Sequence, residues 1–342
     1  MAHKFIGYIY LIKGYLSYTV KFRNFEPGRK KFMENLFNSD ELFNEAQAAK
    51  RERRPWLGKG VIKNISAFYS FKEFETLINQ TGIWTPERLQ VFLDNKPLSH
   101  NDLFLSEQQT SGVKPTLNLK FLTEAIDRGS SVVLNDIAGL SAGLMQIRNF
   151  LSGWTGGKLD CNLYYSQKDH QAFPIHYDVH DVFAIQVHGN KHWQVFDKGQ
   201  DYPINHPRFT TAKLKNPTGL KAGPILDFIF EPGDIVYIPS GYYHHATCRQ
   251  GQSIHLSFGL VEMIGVDVIS MAFEQSIEEV FFRTPLKMVM REKDPIDFYL
   301  QKWAKQVKDL SRKPEFKKRV EAHLDNFSYR GDRLDLGSGE EE

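Results

Sequence analysis

Cysteine is nearly missing: Cys161 and Cys248 are the only two in 342 residues. So few cannot make a disulfide scaffold in a chain this long, and their separation has no metal-ligand spacing. Bridged secreted folds and cysteine-based zinc sites drop out, and a reducing, cytoplasmic setting is the expectation. Long apolar runs are missing too. None approaches the roughly 20 residues that a membrane-crossing helix needs. The one apolar opening stretch, Phe5 to Ile12, is broken by Lys13 and Gly14 and has no small-residue cleavage pattern behind it, which favours a strand or loose extension over a signal peptide. Charge of one sign is also lacking. A net +2 gives no whole-chain case for a nucleic-acid partner, although the first sixty residues carry about twice as many Lys/Arg as Asp/Glu and leave a basic face open there.

What is present is an ordinary globular mixture, 41% apolar and 25% charged, long enough for one barrel with helical additions. Apolar residues at helical spacing (Phe32, Leu36, Phe37, Leu42, Phe43) predict an N-terminal helical arm over Lys30 to Arg54, stopped by Pro55. Short pieces follow: helix at Lys72 to Asn79, strand at Arg88 to Leu93, and a helix start near Ser99 to Asp102. Asn118 to Arg128 reads as helix, Ser131 to Leu134 as a buried strand, and Ile137 to Leu151 as an amphipathic helix ending in the turn Gly153 to Gly157. From Asp160 to Leu260 the character changes. Segments rich in Val, Ile, Tyr and Phe (161–165, 182–187, 192–196, 225–230, 235–238 and 253–258) alternate with Pro/Gly/Asn/Asp turns, the mark of a barrel or sandwich. Helical spacing returns at Val266 to Phe282, Ile296 to Leu310 and Glu315 to Asp325, before a small acidic tail. The expected division is therefore an α+β chain with an arm and outer-layer elements at 1–116, a catalytic barrel at 117–264, helices at 265–336 and a disordered tail at 337–342.

The chemistry is concentrated in Phe173-Pro174-Ile175-His176-Tyr177-Asp178. In extended backbone alternate side chains share a face, so His176 and Asp178 can touch one ion. A third ligand is offered by His244, about 66 residues further on, at the end of Glu231-Pro232-Gly233-Asp234, a hydrophobic strand and Pro239-Ser240-Gly241-Tyr242-Tyr243. Two imidazoles and one carboxylate on one face of a metal leave three positions open, which suits non-haem iron(II) with a bidentate co-substrate and dioxygen. A bare His-x-Asp also arises by chance. The second element, with its ordered turn, strand and turn, is what narrows the reading. His245, adjacent to His244, stays open as the alternative ligand if the register is shifted by one residue. The remaining histidines, His255 among them, read as loop or strand residues. Tyr242 and Tyr243 read either as a substrate mouth or as packing.

These residues resemble the Jumonji C oxygenases, and within them the ribosomal oxygenase group of protein hydroxylases. Motifs from about Leu117 to Leu260 carry the likeness: Ser131 to Asn135, Asn162-Leu163-Tyr164, Phe173 to Asp178, Asp181 to Phe196, Pro232 to His244 and Ser253 to Ser257. The resemblance implies a double-stranded β-helix of the cupin or jelly-roll kind. It implies Fe(II) on His176, Asp178 and His244, 2-oxoglutarate as co-substrate, and hydroxylation of a protein or peptide side chain with release of succinate and carbon dioxide. It also implies a cation for the distal carboxylate of 2-oxoglutarate fifteen residues after the first histidine, where Lys191 stands. By sequence alone Lys191 follows a Gly-Asn turn and reads equally as a solvated turn lysine. Asn162, Tyr164 and Ser257 match polar co-substrate contacts of the family. Ordinary hydrogen bonding inside a barrel is their other reading.

Two departures weaken the substrate inference. The family's ribosomal members carry a dimerisation region and a winged helix after the barrel, whereas the residues after Gly265 read as helices without strand wings, and the N-terminal extension has no counterpart. A ribosomal target is therefore left undecided. Ile269, Phe273, Ile277, Val280 and Phe281 either pair with a second copy or pack on the barrel. Two other functions stay open: a cupin metalloenzyme that does not use 2-oxoglutarate, and a cupin-fold binding protein without catalysis.

Overall fold

The computed structural model describes residues 39–109, 112–167, 173–209, 220, 223–289 and 295–328. The expected strand at Phe5 to Ile12, the first part of the expected arm and the acidic tail lie outside them. Within them, helix α1 (Asp40–Glu52) is shorter than the predicted arm. Ser39 caps it by accepting the Leu42 N–H at 3.2 Å, and Arg53 ends it in a left-handed conformation two residues before Pro55.

Thirteen described strands follow: β1 (Trp56–Gly58), β2 (Leu89–Leu93), β3 (Lys96–Pro97), β4 (Phe104–Gln109), β5 (Gly112–Leu117), β6 (Ser131–Leu134), β7 (Lys158–Gln167), β8 (Asp181–His188), β9 (Lys191–Lys198), β10 (Leu226–Phe230), β11 (Ile235–Ile238), β12 (Tyr242–Thr247) and β13 (Gln252–Val261). Eight make one sheet in the order β1-β11-β8-β13-β7-β6-β2-β3, and three make a smaller sheet, β10-β9-β12. The hairpin β4–β5 stands apart and was not foreseen, since its residues are too polar to signal a buried strand. The other early helices are α2 (Phe71–Ile78), the single turn α3 (His100–Leu103), α4 (Leu119–Asp127) and α5 (Ala142–Thr155). Helix α5 corrects the expected 137–151. Residues 138–140 form a separate tight turn, and the helix runs through Gly153 to bury Trp154 before Gly156 stops it at φ 74°.

Strand alternation assigns each side chain to one of two spaces. Phe183 and Ile185 of β8, Leu163 and Tyr165 of β7, Leu256 and Phe258 of β13 and Tyr237 of β11 face the helices, where they join Phe43, Phe74, Ile147 and Trp154 in the main core. The opposite face of the large sheet meets the small one. There Val182 and Ala184 of β8 and Val236 and Ile238 of β11 pack on Trp193, Val195 and Phe230. Strand β8 is thus buried on both faces, which is why it reads as a nearly unbroken apolar run. Towards β7 and β13 the lining of the same inter-sheet space turns polar, and the candidate site lies there.

The C-terminal helices are α6 (Gly265–Ser276), the short α7 (Val280–Arg283) and α8 (Leu286–Val289), α9 (Pro295–Arg312) and α10 (Pro314–Asp325). The single helix expected over 266–282 is broken between Ile277 and Glu279. Met271, Leu310 and Phe316 form a small core joining α6, α9 and α10.

Candidate metal centre

His176 and Asp178 are not on a strand, contrary to expectation. Among the described residues their segment pairs at one point, where His176 forms an isolated antiparallel bridge to His244. The His244 N–H donates to the His176 carbonyl at 2.8 Å and the His176 N–H to the His244 carbonyl at 3.2 Å. The Gly241 N–H donates to the Asp178 carbonyl at 2.9 Å. Gly241 sits at φ 87° with the Gln200 carbonyl where a Cβ would be, so the turn before His244 needs glycine. Backbone bonds therefore lock the two ligand-bearing segments together before any side chain is considered. His244 itself lies in strand β12, rather than closing a turn as expected. A shift in the pairing of β12 with β9 between Tyr242 and His244 decides which imidazole faces inward. His245 goes to the other face, its Nε2 3.3 Å from the Thr247 hydroxyl, and leaves the cluster to His244.

His176, Asp178 and His244 bring one ligand atom each within 4.8 Å of one another, the only such group among the described residues. His244 Nε2 lies 3.4 Å from Asp178 Oδ2, and His176 Nε2 lies 3.9 Å from Asp178 Oδ1. On the far side of each ring, His176 Nδ1 meets the Pro174 carbonyl at 2.8 Å and His244 Nδ1 meets the Tyr242 carbonyl at 3.2 Å. A carbonyl only accepts, so both protons sit on Nδ1 and both Nε2 lone pairs point at the shared space. Burial alone would raise the Asp178 pKa. The hydrogen bond of His244 and the charges of His176, His244 and His180, when those rings carry a second proton, outweigh it and hold the carboxyl well below its ordinary range. An anionic oxygen and two imidazole nitrogens that give up that proton to a metal fit a divalent first-row ion bonded at about 2.0–2.2 Å.

The three residues line a cleft of about 500 Å³, counted with its open mouth, together with Tyr164, Phe173, Lys191, Trp193, His255 and Ser257. Lys191 is 4% exposed, so it is not the solvated turn lysine of the alternative reading. Its ammonium lies 3.0 Å from the Ser166 hydroxyl and 3.1 Å from His255 Nδ1, both neutral groups. Burial without a carboxylate lowers its pKa from the usual lysine value to about 7. Tyr164 and Ser257 line the cleft. Burial and the Asp178 charge raise the Tyr164 pKa, so its hydroxyl stays a donor. Asn162 sits behind it: its Oδ1 accepts the Asp136 N–H at 3.1 Å and its side chain bonds the Tyr164 hydroxyl. Of their neighbours, Ser166 is only a lesser candidate by sequence, His255 reads there as a loop or strand residue, and Trp193 goes unmarked. The two-residue period could have found them, because Ser166 shares a face with Tyr164, Trp193 with Lys191 and His255 with Ser257.

Residues 145–267 match the JmjC domain family model. Ribosomal oxygenase 2 of Mus musculus is 29% identical over 164 residues, 45% of this chain and 34% of that protein. The bifunctional lysine-specific demethylase and histidyl-hydroxylase NO66 of Aedes aegypti is 26% identical over 141 residues, 40% of this chain and 20% of that protein. The chain thus spans about a third or less of the length of these curated relatives. Among solved structures, the Escherichia coli ribosomal oxygenase YcfD in complex with cobalt and 2-oxoglutarate superposes with a TM-score of 0.52 at 18% identity, covering 79% of this chain and 67% of that one. This likeness establishes a shared fold.

Proposed function

We propose that this chain, which carries a JmjC domain match over residues 145–267, is an Fe(II)- and 2-oxoglutarate-dependent oxygenase that hydroxylates a protein or peptide side chain. The observation that carries the reading is Lys191: a buried ammonium with only neutral hydrogen-bond partners, in the same cleft as two imidazoles and a carboxylate. Burying a cation with no counter-charge is costly unless a ligand supplies one. The distal carboxylate of a 2-oxo diacid supplies it, and the double-stranded β-helix reading of the two facing sheets supports such a cleft. A metalloenzyme without this co-substrate would have no use for the buried ammonium, and a binding scaffold none for three converging ligands.

Iron(II) on His176, Asp178 and His244 would supply the redox chemistry that couples dioxygen to decarboxylation of 2-oxoglutarate, giving succinate, carbon dioxide and a hydroxylated product. The chain's own part is to hold and orient. The Pro174 and Tyr242 carbonyls keep both imidazoles in the binding tautomer, Lys191 and Tyr164 face the co-substrate as donors, and the apolar wall of Val182, Trp193 and Ala246 limits water. Incubation of the iron-loaded protein with 2-oxoglutarate should form succinate slowly without substrate. With cell-extract peptides it should produce a mass gain of one oxygen. No succinate together with no binding of 2-oxoglutarate would end the reading. Ribosomal proteins are the first target class to try, because relatives are named ribosomal oxygenases.

The cleft predicts a pH dependence. With the Lys191 pKa about 7 before binding, the ammonium is present below that pH and must be regained by proton uptake above it. Affinity for 2-oxoglutarate should therefore be highest near neutral pH and weaken by up to about tenfold per pH unit above it, until the bound-state pKa is passed. Calorimetry at pH 7, 8 and 9 in buffers of different ionisation enthalpy measures both the trend and the proton taken up. Flat affinity with no proton uptake contradicts it.

A second copy is the partner proposed for the C-terminal helices. Val266, Ile269 and Phe273 recur at three- and four-residue spacing on α6, with Ile277 just past its end, and they remain exposed together with Val280, Ile269 at 69% and Phe273 at 63%. Light scattering should give a dimer mass for the protein and a monomer mass for Ile269→Glu/Phe273→Glu. A wild-type monomer at micromolar concentration would refute this.

A further inference from the structure

His255 has no task in the reading above, yet its ring is held as firmly as any in the cleft. It stands opposite Tyr164 in the pairing of β13 with β7, with the two rings parallel within 6° and 4.8 Å apart. Trp193 meets it edge-on, at 84° and 5.3 Å. Those contacts fix the plane of the imidazole, and its Nδ1 lies 3.1 Å from Lys191 Nζ. An ammonium only donates, so Nδ1 is the acceptor and the ring proton is on Nε2. Burial, with the neighbouring Lys191 and His244 charges, holds the His255 pKa far below its ordinary range, and the ring remains neutral. Nε2 has no protein partner among the described residues, nor is it among their buried orphaned atoms, so it opens on the cleft that the ring lines.

Resting on the co-substrate reading of this cleft, we propose that His255 is a positioning residue for the co-substrate. Its Nδ1 accepts one hydrogen of the Lys191 ammonium and the Ser166 hydroxyl takes another, which leaves the third for the distal carboxylate of the 2-oxo diacid. Lysine alone is a point charge on a flexible stem and selects geometry poorly. An acceptor on a clamped ring fixes where that charge stands, and with it discrimination between a diacid and a 2-oxo acid that lacks the second carboxylate.

The test is calorimetric titration of the manganese(II)-loaded protein with 2-oxoglutarate and with 2-oxopentanoate, which has the same chain length but no distal carboxylate. His255→Phe keeps the ring packing and removes both nitrogens. It should raise the Kd for 2-oxoglutarate roughly 10- to 100-fold, the worth of a hydrogen bond to a charged group. The weaker Kd for 2-oxopentanoate should stay within about twofold, and His255→Gln, whose amide both accepts and donates, should recover much of the diacid affinity. If His255→Phe does not fold, His255→Leu carries the same expectation. Equal losses for both acids, or no loss for either, overturn the proposal while leaving the site reading intact. Failure of the wild-type protein to bind 2-oxoglutarate removes the site reading and this inference together.

Discussion

Replacing Asp178 by alanine should empty the centre of metal and lower succinate formation by at least about a thousandfold, equivalent to about 4 kcal/mol of activation free energy. The size of the effect follows from charge. Asp178 is the only anion among the three converging side chains, and its surroundings hold its pKa well below the ordinary range, so it is ionised. Without it, two neutral imidazoles would have to hold a divalent cation in a half-open cleft with no anionic ligand, and leaving a charge uncompensated there is costly. Metal content by elemental analysis and succinate by mass spectrometry read the two losses separately. Full metal occupancy with normal turnover in Asp178→Ala would mean that the ion, if any, is held elsewhere.

Replacing Lys191 by methionine should have two effects of opposite sign. The KM for 2-oxoglutarate should rise by about 100-fold, because a charge-assisted contact to a buried carboxylate is lost. The ligand-free protein should become more stable, on the order of 1 kcal/mol, because a buried cation with only neutral partners is exchanged for an apolar side chain of similar length. The sign can be followed with pH. The folded-state pKa, about 7, lies below the unfolded value of 10.5, so the buried lysine penalises folding fully below the lower value. The penalty shrinks as pH rises between the two and vanishes above the higher. The stability gain of the methionine variant should follow the same course. A variant that binds 2-oxoglutarate normally would place the distal carboxylate on another residue. One that loses binding and also melts lower would mean that Ser166 and His255, deprived of the ammonium, matter more to the fold than the relief of burial.

Much of the architecture was legible because strands and helices write their period into the chain. The strand at 131–134 and that at 235–238 lie where the apolar runs put them, and the helix expected at 72–79 lies within one residue. The boundaries that moved did so for tertiary reasons. Gly153 looks like a helix stop, but the burial of Trp154 one residue later carries α5 past it. The hairpin β4–β5 has no apolar run to announce it, and the helix expected over 266–282 is divided after Ser276.

The ligand types and their order, His-x-Asp and then a distant His, were set by the sequence by itself, and with them the kind of ion that could be held, since donor chemistry belongs to the side chain wherever it lies. Alternation along one strand likewise pairs Asn162 with Tyr164 before any fold is known. The tertiary structure alone decided that His244 and not His245 turns inward, that Lys191 is buried rather than solvated, and that His255 leans on it. Those outcomes depend on strand register and on what packs across the space between two sheets, and both are contacts between residues far apart in the chain.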